Sequence, residues 1–499
     1  MTGRSLRLDQ LELPSDSTLR GDGSTVVSGL TYDSRDVDPG DLFVCLPGGY
    51  ADGHAYAARA VDQGAVALMV ERALPLDVPQ LLVADTRNGL PVVAASFYGN
   101  PGNHLAVIGI TGTDGKTTTS YILDHVLRSA GIKTGVIGTV SVRVADDVVD
   151  HETRQTTPES ADVQRLLRRM VDAGVTHAIL EATSHGLDLH RLDHVPFSVA
   201  AVTNITTEHL EHHGTVEAYR AAKGSLFSRV SGAGGTSIVN LDDAGARSVL
   251  PLIASSDILT YSIAGATADL AATEIEVGPT STTFELRAGD AVRRVESPLT
   301  GVFNVANSLC ALGIARACDI DLDLAVAALA ETPQIPGRMQ IVDAWRPVKT
   351  IVDYAHTPAS LEVMMRMLRA SSPDGRVIAV FGSAGERDVP KRGLQGAVAA
   401  RLADLAVFTN EDPREEDENV ILEDIASGAR GEGWVDGRHF WMIPDRRLAI
   451  RHAVSLAEPG DVLLLAGKGH ERSIIVGQRK IPWDEASVAS EELARRFGD

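Results

Sequence analysis

The sequence predicts an α/β protein of three domains, the second and third built on parallel sheets. Three observations carry this. The chain has 499 residues, which at roughly 150 residues per domain leaves room for three cores. Two stretches rich in turn formers, "FYGNPGNH" (97–104) and "ETPQIPGR" (331–338), each precede a short β-branched run and divide the chain into 1–103, 104–335 and 336–499. In the second and third parts one grammar recurs, in which an apolar run of strand length ends in a polar cluster and a helical pattern follows. Runs that are apolar throughout indicate parallel strands covered on both faces.

The first part places "LFVCL" and "AVALMVE" around the glycine-rich "PGGYADGH", a compact α/β unit by its alternation. In the second, "LAVIGI" runs into "TGTDGKTTT", "HAILEA" into "TSHG", and "AAVTNI" into "TTEHLEHHG". In the third, "TIVDYA", "VIAVFG", "LAVFTN" and "DVLLLA" run into "HTP", "SAGERD", "EDPR" and "GKGHE". Ligands of such sheets bind at the carboxyl ends of the strands, so the chemistry is expected in these clusters.

The net charge of −21 argues against a general nucleic-acid binder, whose affinity comes from neutralising phosphates with cations. Cys45, Cys310 and Cys318 show no metal-ligand spacing, which fits small core residues in a reducing compartment. The charged N-terminus lacks the apolar run of a signal peptide, and no window reaches the ~18 apolar residues of a membrane span. A cytoplasmic protein is expected. Nothing forces oligomerisation, and a monomer is expected.

The loop Gly112-Thr113-Asp114-Gly115-Lys116-Thr117-Thr118 follows a strand and opens the helical pattern "TTSYILDHVLRSAG". It offers what a phosphate cradle needs: a glycine that leaves the amides open, a lysine for charge and a hydroxyl for Mg²⁺. The strict Walker spacing fails, because Ile110 stands five positions before Gly115. A solvated glycine turn is the bland alternative, but the strand-loop-helix context favours a bound nucleotide. Glu181 closes "HAILEA" and His209 closes "AAVTNITTEH", and together they suit Mg²⁺ beside substrate phosphates. Alone, each is ordinary: a solvated carboxylate, and one of three histidines (His209, His212, His213) equally suited to capping or the surface. A zinc hydrolase is excluded by the absence of HExxH and of familiar zinc spacings. Lys223 reads by default as a surface cation. Asn304 and Asn307, at i, i+3 on one helix, suit an adenine edge, and helix capping by Asn304 is an equal alternative. Arg338 in "PGRM" and Asp353 and His356 in "DYAH" are weak signals.

Taken together, these stretches resemble the Mur ligases, the ATP-dependent amide-forming enzymes of peptidoglycan synthesis. "TGTDGKTTT" looks like that family's phosphate loop. "TTPES", "EATSHGLDLHR", "TNITTEHLEHHGT", "YRAAKGSLF", "GVFNVAN", "PGRM", "DYAHTP", "GERDVPKR", "EDPREED" and "GKGHE" follow in family order, and the N-terminal "TYDSRDVDPGDLFVCLPG" matches too. "YDSR", "SHGLDLHR" and "GKGHE" are similar to the MurE type, which adds the third residue to UDP-N-acetylmuramoyl-L-alanyl-D-glutamate.

The resemblance implies an N-terminal UDP-binding domain, a central P-loop-type ATPase domain and a C-terminal Rossmann-like domain for the amino acid. It implies that Tyr32, Ser34, Gly49, Tyr50 and Ala51 contact the UDP end, and Thr156, Thr157, Thr183 and Arg191 the muramoyl-dipeptide. Gln155 and Leu189 depart from common versions. Lys116 and the loop amides would stabilise the transferring phosphoryl group. Thr117 and Glu181 would hold one Mg²⁺, and His209 with a carbamate on Lys223 a second. Asn304, Asn307, Arg338, Asp353 and His356 would position ATP at the junction of the second and third domains. Arg387, Glu411, Asp412, Pro413, Arg414, Gly467 and Glu471 would meet the amino acid. Enzymes of this type that take meso-diaminopimelate carry Asp-Asn-Pro-Arg where this chain has Glu411 to Arg414; the retained arginine favours meso-diaminopimelate over L-lysine or L-ornithine, while Asp412 argues the other way. The implied reaction passes through an acyl phosphate. A catalytically silent Mur-like scaffold or a regulatory nucleotide-binding protein is the reading from another class, although an Asn-Lys-x-Asp guanine reader is lacking.

Overall fold

The computed structural model describes residues 4–48, 51–149, 155–253, 257–278 and 280–498. Its backbone forms two compact units, 1–273 with 285–293 and 305–329, and 274–284 with 294–304 and 330–499.

Among the described residues the first unit holds two large sheets and a two-stranded ribbon, Leu6–Arg7 with Val26–Val27. The N-terminal large sheet has five strands in the order Thr18–Arg20, Gln80–Leu82, Ala67–Val70, Asp41–Val44 and Gly29–Thr31. All neighbours are parallel except the Thr18–Arg20 edge. Asp41–Val44 and Ala67–Val70 are buried at every position, as the apolar runs Leu42–Val44 and Ala67–Val70 require. The helix Thr86–Tyr98 starts where Asp85 accepts the amides of Arg87 and Asn88, and it runs into the turn-rich stretch, ending at Gly99 with φ 73°.

In the second sheet the strand Ala106–Thr111 lies between His177–Glu181 and Phe197–Val202, parallel to both. The register pairs Glu181 with Ile110 and Val202 with Thr111, so three carboxyl ends stand side by side. Thr134–Ile137 continues the sheet beyond His177–Glu181, and Thr236–Asn240 and Ile258–Ser262 extend it in parallel on the other side. The helices Lys116–Ser129 and Val216–Gly232 pack apolar side chains such as Ile122, Leu123, Leu226 and Phe227 at the core.

The sheet of the second unit runs Gln340–Val342, Lys349–Asp353, Val462–Ala466, Val377–Phe381, Leu405–Phe408 and Phe440–Met442. Only the Gln340–Val342 edge is antiparallel. Leu361, Met365, Phe381 and Ile425 fill one apolar layer, and Ile378, Val407, Ile450 and Leu493 the other. This two-faced burial is why the strands read as continuous apolar runs. Cys45 and Cys310 are buried, Cys318 is half-buried, and all three are free thiols. Among the described residues no helix is long and apolar enough to cross a membrane.

Candidate active site

The loop Gly112–Gly115 turns the central strand of the second sheet into the helix Lys116–Ser129. Gly112 and Gly115 have φ 150° and 86°; at Gly112 a Cβ would stand on the Thr203 hydroxyl, and at Gly115 it would lie 2.3 Å from Asn307 Oδ1. No side chain caps this helix, so its first amides are left for an anion, which the helix dipole favours. The neighbouring strand end holds the loop from below: Asn204 accepts the amides of Thr113 and Asp114 through its carbonyl (2.8 Å) and Oδ1 (3.0 Å). Asn204 Nδ2 and the Thr203 hydroxyl donate to the Asp114 carbonyl. Sequence reasoning missed Thr203 and Asn204, although both stand in "VTNI" at a strand end.

Two lysines converge on one carbonyl. Lys116 Nζ donates to the Gly112 and Thr113 carbonyls, both at 2.8 Å, and Lys223 Nζ donates to the same Gly112 oxygen at 2.7 Å. Lys223 is only 2% exposed, contrary to a surface cation, and lies over the Tyr219 ring. Burial, and then the charge of Lys116, holds its pKa well below the usual lysine range. Both effects favour the neutral amine, the form that CO₂ carbamylates. The Tyr219 hydroxyl meets the Thr113 hydroxyl at 3.0 Å, a further loop contact with no sequence signal.

Glu181 is 1% exposed, not solvated. Its Oε2 accepts from the Thr117 hydroxyl at 2.9 Å and the Thr139 hydroxyl at 2.7 Å; its Oε1 accepts from the Thr139 amide and Ser120. The structure thus joins Thr117 to Glu181, a buried hydroxyl-carboxylate pair of the chemistry Mg²⁺ takes. The threonines continue outward: Thr139 bonds Thr156, and Thr157 bonds Thr183 and the Glu181 carbonyl. Arg191 donates to the Thr157 carbonyl and pairs with Glu159 at 2.8 Å, and Arg87 approaches the same carboxylate. Thr118 is buried in the first turn of the helix.

His209 does not end a strand. That strand stops at Val202, and His209, at φ 55°, precedes the short helix Leu210–His213. Its ring faces His185 at 4.7 Å and is flanked by Glu208 and Glu211. His185 also packs on His212 and His213, and His213 on Tyr219. Burial first, then the neighbouring imidazoles, push the His185 pKa down to about 4. The histidine patch thus reaches the phosphate loop through Tyr219.

Near the N-terminal sheet, Tyr32 donates its hydroxyl to Asp162 at 2.6 Å and Ser34 is buried. Ala51 is exposed; Gly49 and Tyr50 lie outside the described residues. Arg87 also donates to the Pro47 carbonyl.

In the second unit, Asp353 accepts the amides of Met339 and Ala355, both at 2.8 Å, and burial raises its pKa. Arg338 lies over the Tyr354 ring, which also packs against His356 and His470. Asn304 lies inside the helix Val302–Ala317 and donates to the Thr300 carbonyl, so it is not a cap.

The segments 411–414 and 467–471 meet in a buried charged cluster. Lys468, whose side chain is fully buried, pairs with Asp412 at 2.9 Å and with Glu471. Asp412 also accepts the Ile475 amide. Asp412 is therefore neutralised internally, whereas Glu411 Oε2 is buried with no hydrogen-bond partner and stands close to Gly467. Arg414 is half-buried at φ 57°, its Nε unpartnered, and Arg387 is exposed. Behind both segments, fully buried Arg446 pairs with Glu485 and donates to the carbonyls of Asn410 (3.0 Å) and Ala466 (2.8 Å). Neither Lys468 nor Arg446 stood out in the sequence.

An anion-directed helix terminus and a desolvated lysine at parallel strand ends place the chain in the class of P-loop-type nucleotide-using α/β enzymes. The chain belongs to the Mur ligase family: residues 26–97 match the family's catalytic domain, 110–315 the Mur ligase middle domain and 337–469 the Mur ligase glutamate ligase domain. It is 43% identical to the UDP-N-acetylmuramyl-tripeptide synthetase of a Roseiflexus species, over 94% of each chain. It is 40% identical to the UDP-N-acetylmuramoyl-L-alanyl-D-glutamate–2,6-diaminopimelate ligase of Geobacillus thermodenitrificans, over 97% of this chain and 98% of the relative. A solved structure of a ligase of that name, 30% identical, superposes with a TM-score of 0.64 over 94% of this chain and 95% of the other.

Proposed function

We propose that this protein is an ATP-dependent ligase that joins meso-2,6-diaminopimelate to the D-glutamate of UDP-N-acetylmuramoyl-L-alanyl-D-glutamate in peptidoglycan biosynthesis. The observation that carries the reading is the convergence of Lys116 and Lys223 on the Gly112 carbonyl beside the Thr117–Glu181 pair. The near full-length similarity to diaminopimelate ligases supports the substrates. Separate sheets and separate family matches support domains at 1–103, 104–335 and 336–499.

A carboxylate is a poor electrophile, and its amide forms only after activation. In this reading the γ-phosphoryl group passes to the D-glutamyl carboxylate, and the amine of the amino acid expels phosphate from the resulting acyl phosphate. The uncapped amides at Lys116 and the Lys116 ammonium stabilise charge on the transferring group. Thr117 and Glu181 fit one Mg²⁺, and His209 with carbamylated Lys223 a second; the ions would offset the charge of the phosphates. Asn304, Asn307, Arg338, Asp353 and His356 complete the proposed ATP contacts. Thr156, Thr157, Thr183 and Arg191 take the dipeptide, and Tyr32, Ser34 and the segment 49–51 the UDP end. Arg387, Glu411, Asp412, Pro413, Arg414, Gly467 and Glu471 take the amino acid. A cytoplasmic monomer completes the reading.

L-Lysine or L-ornithine is the second reading, favoured by the acidic surplus of Glu411, Asp412 and Glu471 around the single Lys468, which suits an ammonium. The test supplies ATP, Mg²⁺, the UDP-muramoyl-dipeptide and all three amino acids at equal concentration, and identifies the product by mass. Phosphate release without both acceptor and amino acid would count against a ligase, and a lysine or ornithine product would select the second reading.

A further inference from the structure

We propose that Asp188, His212 and His213 form a binding site for a divalent transition-metal ion of the zinc, cobalt and nickel class, separate from the Mg²⁺ position assigned to His209 and Lys223. His212 and His213 are the histidines of "HLEHHG" that the ligase reading leaves without a task. Their spacing alone matches no zinc pattern because the third ligand comes from elsewhere. The helix Ser184–Asp188 ends against the helix Leu210–His213, and one ligand atom each of Asp188, His212 and His213 lies within 4.8 Å of the others.

Asp188 Oδ2 already meets His212 Nε2 at 2.8 Å. His213 Nε2 is buried with no hydrogen-bond partner. An unpaired buried imidazole nitrogen is an unmet polar group, and a metal ion is one way to satisfy it. Ligand atoms around a tetrahedral zinc at ~2.0–2.1 Å stand roughly 3.4 Å apart, a spacing close to that of the present set, whose atoms lie within 4.8 Å of one another. The chemistry selects the ion: two imidazoles and one carboxylate suit zinc, cobalt or nickel, whereas Mg²⁺ prefers oxygen and retains water. Three ligands leave a position open for water, and the partial exposure of Asp188 and His212, 46% and 28% of their side chains, gives the ion an entry path. His185, its ring tilted 30° and 4.3 Å from that of His212, backs it.

The test uses the full chain, stripped of metal and without nucleotide or Mg²⁺, titrated with Co²⁺ alone. The expected result is a saturable visible absorption band at one equivalent of cobalt, erased by added Zn²⁺. His212→Ala and Asp188→Asn, both at solvent-accessible positions, should each weaken cobalt binding at least about tenfold, while His209→Ala retains it. Absence of a saturable band overturns the proposal. So does binding that is unchanged in His212→Ala and Asp188→Asn, or binding lost in His209→Ala, which would assign the ion to the other position.

Discussion

Gly115→Ala tests the phosphate loop at the point where its geometry is tightest. Gly115 holds φ 86°, and a Cβ there would lie 2.3 Å from Asn307 Oδ1. The left-handed backbone costs an alanine ~1–2 kcal/mol, and displacing the Asn307 carboxamide from a packed site costs ~1–3 kcal/mol more. The sum, about 2–5 kcal/mol, must be met to keep the loop in its present form. At roughly 2–4 °C per kcal/mol for domains of this size, the unliganded variant should melt at least about 4 °C lower. Nucleotide binding should weaken by about 30-fold or more, since each 1.4 kcal/mol is tenfold. Adding Asn307→Ala removes the clash and leaves the backbone cost. Because Asn307 is also a proposed ATP contact, the rescue is read in the melting of the unliganded protein by scanning calorimetry. A Gly115→Ala protein with wild-type melting and wild-type affinity for an ATP analogue would refute the loop geometry. A double variant no more stable than Gly115→Ala would refute the clash with Asn307.

Lys116→Ala should lower turnover by on the order of 10²–10³ or more, with the fold intact by circular dichroism; near-normal phosphate release would remove the loop from the reaction. Lys223→Ala should be nearly inactive and partly rescued by added acetate, which replaces a carboxylate; rescue by an amine instead would exclude the carbamate. Because the folded-state pKa of Lys223 lies below its unfolded value, the unfolded chain binds the extra proton as pH falls, so this lysine costs stability progressively from pH ~10 downward. In CO₂-free buffer Lys223→Met should therefore be more stable than wild type near neutral pH, with the gap closing toward pH ~10; a gap that widens with pH would contradict the burial argument. Arg446→Met should destabilise the second unit by about 3–5 kcal/mol by leaving Glu485 buried and unpaired, and Arg446→Met with Glu485→Met should recover most of the loss in denaturant unfolding.

The strand-end clusters were legible because a strand buried on both faces must be apolar throughout, and the change to glycine, threonine and charge marks where it leaves the core. Thr117, Glu181 and the loop were found on that signal. His209 reads from the sequence as a strand end, but the strand stops at Val202, seven residues earlier: "TNITTEH" continues the β-branched pattern, yet the chain turns after Val202 so that Thr203 and Asn204 support the loop. The burial of Lys223 was invisible, because a lysine among small residues reads the same on either face of a helix and only the convergence of two segments buries it. Lys468 and Arg446 escaped for a related reason: Glu471 stands three residues from Lys468, but the partners Asp412 and Glu485 come from 56 and 39 residues away, and sequence spacing records no such distance. The threonine relay through Thr139 likewise depends on strand order, which places Thr134–Ile137 beside His177–Glu181.

Arg446 also bears on how such an enzyme changes its taste. By gripping the carbonyls of Asn410 and Ala466, it fixes the backbone just ahead of 411–414 and of 467–471 from a single buried fork. Both loops leave the sheet from pinned origins. In the proposed reading, in which 412, 414 and 471 meet the amino acid, exchanges there alter charge and shape while the main chain keeps its course. Diversification at this locus is free to proceed one side chain at a time, with the scaffold's rigidity rather than its plasticity making new preferences accessible.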